Sequence, residues 1–174
     1  MSEAVELVVV RHGVARPAGG GESDFDRPLT HEGKIGVERV GRWLRERPIA
    51  VDVILTSAAL RARDTAAIIA ANLKDAAPVQ ALPALYSAEA ADILAQLSCL
   101  TDVRCVVLVG HNPTLEALVS YLVGEPAGAS PKVRLVPGGC VCLRWLAGWA
   151  GTAYGVATLG AAISPGELTV PQSR

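Results

Sequence analysis

The sequence predicts an α/β fold: a three-layer sandwich with a largely parallel central sheet, helices on both faces and a C-terminal antiparallel hairpin. Two observations lead there. Short apolar, β-branched runs alternate with helix-period segments for most of the length, as in parallel strands joined by crossover helices. The last two strand-like runs lie too close together for a crossover, so they predict an antiparallel pair at one sheet edge.

Taken in order, Glu6–Val10 is a short apolar run that stops at Arg11-His12-Gly13, which reads as a buried strand entering a loop. Residues 14–29 are rich in Gly, Pro and Asp, and Gly19-Gly20-Gly21 reads as a flexible connection. Thr30 caps a helix over 31–47, which Pro48 ends. Val51–Thr56 is a second strand, and Ala58–Leu73 is a helix with Ala62, Ala66, Ile69 and Leu73 on its apolar face. A short strand at Val79–Ala81, a loop through Pro83 and a helix over Ala88–Leu97 follow. Arg104–Val109 is the clearest strand. It runs into Gly110-His111-Asn112-Pro113, and Pro113 suits the first turn of a helix reaching Leu122. Beyond a loop at Gly124–Pro131, Cys140–Leu146 and Thr152–Leu159 form the hairpin around a turn at Ala147–Gly151. Residues 1–174 are expected to make one domain, with a core over about 5–160 and an irregular tail over 161–174.

Composition narrows the function. Apolar residues make up 51% of the chain and aromatics only 4%, so the core must rest on Val, Leu and Ala. A net charge of −1 provides no global field for nucleic acid or an anionic membrane. No segment reaches the roughly 18 apolar residues needed to span a bilayer. The first apolar run has no basic region before it, which argues against a signal peptide. Cys99, Cys105, Cys140 and Cys142 form no C-x-x-C pair, and the chain has only three histidines. Neither a metal site nor a disulfide framework is expected, and the thiols read as reduced in a cytoplasmic protein.

In open parallel sheets, ligands sit beyond the carboxyl ends of the strands. Three such ends carry chemistry: Arg11-His12 after the first strand, Thr56-Ser57 leading to Arg61 after the second, and His111 after Val106–Val109. Each has an ordinary explanation when taken alone. Their shared placement brings two histidines and two arginines to one edge of the sheet. Guanidinium forks match phosphate oxygens two at a time, helix starts offer free N–H groups, and nearby arginines keep an imidazole neutral and nucleophilic.

These residues resemble the histidine phosphatase superfamily, which also holds the cofactor-dependent phosphoglycerate mutases. The resemblance runs through Arg11-His12-Gly13, Leu29-Thr30-His31-Glu32-Gly33, Thr56 to Ala66 and Gly110-His111-Asn112, and spans roughly residues 5–123. Within the superfamily the chain is most similar to SixA-type phosphohistidine phosphatases, through Arg27-Pro28-Leu29-Thr30, Leu82-Pro83-Ala84-Leu85 and Val107 to Pro113. The resemblance implies that His12 attacks phosphorus and becomes phosphohistidine. It implies that Arg11 and Arg61 hold the phosphoryl oxygens and that His111 donates a hydrogen bond to them. Arg27 is expected at the pocket rim, Asn112 as a backbone donor, and Thr56 and Ser57 as supports of the turn before Arg61. No metal or cofactor is implied, because phosphoryl transfer is mostly positioning and charge stabilisation.

One part of the wider family pattern is missing. Mutases carry a glutamate after the third strand that protonates the leaving oxygen. Here that stretch reads Leu82-Pro83-Ala84-Leu85-Tyr86-Ser87-Ala88-Glu89. Glu89 is the nearest candidate proton donor, but it falls at a predicted helix start, where a glutamate commonly serves the helix dipole. Loss of the acid favours phosphoramidate substrates, so the expected partner is a protein carrying phosphohistidine. The alternatives are a small phosphate ester as substrate and a non-catalytic phosphate-binding module. His31 reads as exposed, Trp43 as an anchor of its helix to the core, and Trp145 and Trp149 as packing residues.

Overall fold

The computed structural model describes residues 4–21, 23–48 and 50–168. Strands β1 (Val5–Arg11), β2 (Val53–Ser57), β3 (Val79–Leu82) and β4 (Cys105–Gly110) alternate with helices α1 (His31–Arg45), α2 (Leu60–Asn72), α3 (Ala90–Ser98) and α4 (Thr114–Leu122). β5 (Cys140–Trp145) and β6 (Thr158–Ile163) follow. Among the described residues the sheet has six strands, in the order β3-β2-β4-β1-β5-β6. β3, β2, β4 and β1 pair in parallel, β5 runs antiparallel to β1, and β6 runs antiparallel to β5. This is the predicted mixed, largely parallel architecture.

Strand alternation divides the core between two faces. Leu7, Val9, Leu55, Val106, Leu108, Val141 and Leu143 pack with Ile93 and Leu97 of α3 and with Leu115, Leu118, Val119 and Leu122 of α4. Val8, Val10, Ile54, Val107, Val109, Cys140 and Cys142 face Val37, Val40 and Leu44 of α1 and Ala62, Ala66 and Ile69 of α2. β1 and β4 are buried on both sides, which is why they read as unbroken apolar runs. The Thr30 side chain caps α1 by accepting from Gly33 N–H at 2.9 Å. His31 is exposed, and Trp43 is half-buried against the core with the Arg47 guanidinium 4.8 Å over its ring. Cys99 is exposed; Cys105, Cys140 and Cys142 are buried, and all are free thiols. Among the described residues, no helix is long and apolar enough to cross a membrane.

Three expectations need correcting. The second hairpin strand is Thr158–Ile163, not Thr152–Leu159, so the connection is longer than a tight turn. The reason is Trp149, which is buried and donates its indole N–H to Val103 O at 2.6 Å. Its ring stands edge-on to Trp145, with centroids 5.1 Å apart, so the chain dips into the core before it can pair again. The tail is not irregular from 161 onward: β6 continues to Ile163, and Pro165–Glu167 form a 3-10 turn against α1. The rest of that tail prediction, 169–174, lies outside the described residues. The loop over 14–29 contains a 3-10 turn at Asp24–Asp26, and an antiparallel bridge from Ala15 to Leu29 closes its base.

Leu118 is fully buried between α4 and the sheet. Leu118→Ala should destabilise the fold by about 2–5 kcal/mol. Urea titration should show this as a lower midpoint with an unchanged slope.

Candidate active site

Strand register gathers the site. Arg11 of β1 is level with Gly110 of β4, and Val109 of β4 is level with Thr56 of β2. The residues that follow therefore emerge side by side: His12, His111 and Ser57. His12 N–H still donates to Gly110 O at 3.1 Å, extending the ladder by one bond. The two imidazole centroids lie 5.1 Å apart, with the rings tilted by 58°. α2 starts just after β2 and presents Arg61 in its first turn, with only 5% of the residue exposed.

His12 is oriented by its own neighbour. Its Nδ1 lies 2.7 Å from Gly13 O, an acceptor only, so Nδ1 carries the proton and Nε2 keeps its lone pair. Arg61 Nε donates to that Nε2 at 3.3 Å. Gly13 admits no side chain, because a Cβ would sit 2.8 Å from Val37 Cγ2 and 3.0 Å from Gly33 O. At Gly33 a Cβ would collide with Val14 O, so the two glycines let the loop after β1 lie against α1. Gly13 N–H donates to Thr65 Oγ1 at 3.0 Å, and Thr65 in turn donates to Arg61 O at 2.7 Å. The loop bearing His12 is thus tied to the helix bearing Arg61.

The other residues close a cleft of about 480 Å³ lined by Arg11, Arg27, Asn112, Tyr86 and Asp24 as well as both histidines and Arg61. Arg11 donates to Leu135 O at 2.9 Å, while its buried Nε has no partner. Asn112 Nδ2 donates to Glu116 Oε1 at 2.9 Å and to Leu135 O at 3.1 Å. His111 Nε2 lies 2.9 Å from Ser57 Oγ, so Ser57 orients that ring as well as supporting the turn. Glu89 is not brought to the cleft. It is the exposed N-cap of α3, and its backbone N–H donates to Asp92 Oδ2 at 2.8 Å.

Asp24 escaped the sequence reading. Arg61 donates to Asp24 O at 2.5 Å and to Asp24 Oδ2 at 2.9 Å, and Arg27 Nε donates to Oδ1 at 2.8 Å. Tyr86 Oη–H also donates to Oδ2, at 3.0 Å. Desolvation opposes ionisation of this carboxyl, but the Tyr86 and Arg27 hydrogen bonds and the Arg61 charge outweigh it and hold its pKa down at about 2. The carboxylate thus sits where an incoming anion would meet the arginine forks. The only sequence signal for it is the Asp24/Arg27 spacing of three, inside a segment with no periodicity.

Burial lowers the pKa of both histidines to about 4. For His12 the Gly13 hydrogen bond opposes the shift, while Arg61 and Arg11 deepen it; for His111 the His12 and Arg61 charges add to burial. Both rings are therefore neutral at pH 7. A neutral Nε2 beside guanidinium groups, in a cleft open to solvent, can attack an electrophilic phosphorus.

Two measurements follow from this geometry. An unfolded histidine titrates near its ordinary 6.5 and the folded ones near 4, so the unfolded chain binds more protons between these values. Stability should be full above pH 6.5 and decline as pH falls toward 4. Urea midpoints at pH 7 and pH 5 should differ, and the His12→Asn/His111→Asn double variant should lose most of that difference. The stability supplied by Asp24 is present above its ordinary 3.8 and is lost only below it, outside this window. Separately, Asp24→Asn removes the carboxylate that competes for Arg61 and Arg27. Calorimetry should then show inorganic phosphate binding tightened on the order of tenfold.

Residues 7–93 match the model of the histidine phosphatase superfamily (branch 1). An uncharacterised protein of Mycobacterium tuberculosis (strain H37Rv) is 32% identical over 145 residues, covering 80% of this chain and 89% of the relative. The phosphohistidine phosphatase SixA of Escherichia coli (strain K12) is 31% identical over 124 residues, covering 70% of this chain and 73% of that protein. Among solved structures, a Nakamurella multipartitia protein assigned as a phosphohistidine phosphatase SixA superposes with a TM-score of 0.80 at 30% identity, covering 93% of this chain and 96% of the other. The chain belongs to the histidine phosphatase superfamily, with SixA-like proteins among its relatives in both sequence and structure.

Proposed function

We propose that this protein hydrolyses phosphohistidine on a protein substrate, through a covalent phosphohistidine on His12. The observation that carries the reading is the His12 geometry: Nδ1 is tied to Gly13 O, and Nε2 is turned toward the guanidinium of Arg61. Nε2 attacks phosphorus as the P–N bond to the substrate imidazole breaks. The departing ring takes a proton from solvent on either nitrogen. Water then attacks phosphorus, the P–Nε2 bond breaks, and inorganic phosphate leaves with His12 restored. Arg11 and Arg61 carry the phosphoryl oxygens, His111 donates to them, Arg27 stands at the rim, and Asn112, whose side chain braces the wall near Arg11, offers its backbone N–H to the phosphoryl group.

Neutralisation by arginines makes a metal unnecessary, so the reaction is metal-independent. The leaving group supports the choice of bond. Asp24 is held ionised in the free protein, and Glu89 lies at the start of α3. The cleft thus offers no standing acid for an alkoxide, whereas imidazole leaves without one. Free thiols, three of the four buried, fit a reducing, cytoplasmic setting, and residues 1–174 act as one domain whose described part is built around one sheet.

The test is a side-by-side assay. With no acid, the rate on alkyl phosphates should fall about 10²–10⁴-fold below that on phosphohistidine, and rates across esters should depend steeply on leaving-group pKa. Turnover should survive exhaustive chelation. His12→Ala should abolish turnover and the acid-labile phosphoenzyme without unfolding the chain. A flat dependence on leaving-group pKa would transfer the assignment to phosphomonoesters.

A further inference from the structure

We infer that Tyr86 is a specificity-determining residue that reads the ring of the leaving group. This rests on the phosphohistidine reading above and adds the residue that would distinguish that substrate from ringless phosphoryl donors. In-line attack by His12 Nε2 places the leaving group on the far side of phosphorus, toward the mouth of the cleft. Among the described residues lining the cleft, Tyr86 alone, apart from the two histidines, carries an aromatic ring. It stays 37% exposed, so part of the ring is open to a ligand.

The ring is also held in place. Leu85 is buried and anchors the 3-10 turn Pro83–Tyr86. The Tyr86 hydroxyl donates to Asp24 Oδ2 at 3.0 Å. Its ring meets Phe25 edge-on at 5.1 Å and His111 edge-on at 5.9 Å. An aromatic ring restrained on three sides offers a flat imidazole a preformed surface, by stacking or edge contact, at little entropic cost. A ringless leaving group gains nothing from that surface. Tyr86 thereby supplies selectivity that the arginine cradle cannot, because the arginines contact only the phosphoryl oxygens common to every substrate.

The experiment compares wild type, Tyr86→Ala and Tyr86→Phe on two pairs of donors. Phosphoimidazole and p-nitrophenyl phosphate have ring leaving groups. Phosphoramidate and acetyl phosphate are labile and ringless. Tyr86→Ala should lose about tenfold in kcat/KM on both ring donors. Measured against Tyr86→Phe, which likewise lacks the hydroxyl that holds Asp24, it should change the ringless donors by no more than about twofold, and inorganic phosphate should inhibit the two variants alike. Tyr86→Phe keeps the ring and should retain the discrimination. Equal losses on ring and ringless donors, or no loss on ring donors, would overturn the role of Tyr86 alone. A wild-type protein that ignores phosphoimidazole would overturn the phosphohistidine reading, and this proposal with it.

Discussion

The in-register pairing of β1 with β4, and of β4 with β2, is the constraint on which everything else hangs. All three strands are buried, so their backbone N–H and C=O groups have no water to turn to and must pair with each other. A slip by one residue would swap the side chains of the two cores and set mismatched shapes against the helices on either face. That penalty fixes where each strand stops, and hence where His12, Ser57 and His111 begin. The meeting of two imidazoles at 5.1 Å is in this sense a by-product of valine packing several residues away.

Charge is handled with similar economy. Three arginines face one cleft in a protein whose net charge is −1, so the positive field is local and the rest of the surface offsets it. Arg61 is almost fully buried, and a guanidinium there must be answered. Asp24 answers it from a half-exposed position, through both its carboxylate and its backbone carbonyl. A buried cation paired with an acid is stable at rest, yet this partner sits in a single 3-10 turn of a loop and not in an α-helix or strand. The same arginines that satisfy Asp24 help keep the two rings uncharged, so the anion site and the neutral imidazoles depend on one another.

Much of this was legible in the amino-acid order. Valine runs ending in Arg11-His12-Gly13 and Gly110-His111 mark strand ends because a sheet core tolerates no charge, and Thr30 marks a helix start through its hydroxyl. Arg61 was visible because it follows a strand at helix-start distance. Asp24 and Tyr86 were not, since each sits in a short 3-10 turn whose path is set by tertiary contacts rather than by periodicity. Ser57 showed its place but not its partner: a hydroxyl at a strand end is ambiguous until the neighbouring strand is known. The displaced start of β6 has the same origin, since the pull of a buried Trp149 is invisible in the alternation of Thr152–Leu159.

The bridge between Ala15 and Leu29 has a wider meaning for how the molecule is put together. With Arg16 N–H donating to Pro28 O at 2.9 Å and Thr30 N–H to Val14 O at 2.8 Å, the two ends of the segment are clasped at its base. What lies between is a self-closed loop that carries Asp24 and Arg27. At its exposed tip an added Cβ on Gly19 would meet nothing, whereas Gly20 and Gly21 hold φ of +43° and +92°, where a side chain is strained. The polarity of the cleft mouth is thereby written in a cassette separable from the scaffold that holds the imidazoles. Length and charge at the exposed tip of the clasped loop can vary while the sheet keeps its register, provided that position 24 still answers Arg61, so one framework can carry mouths of different character.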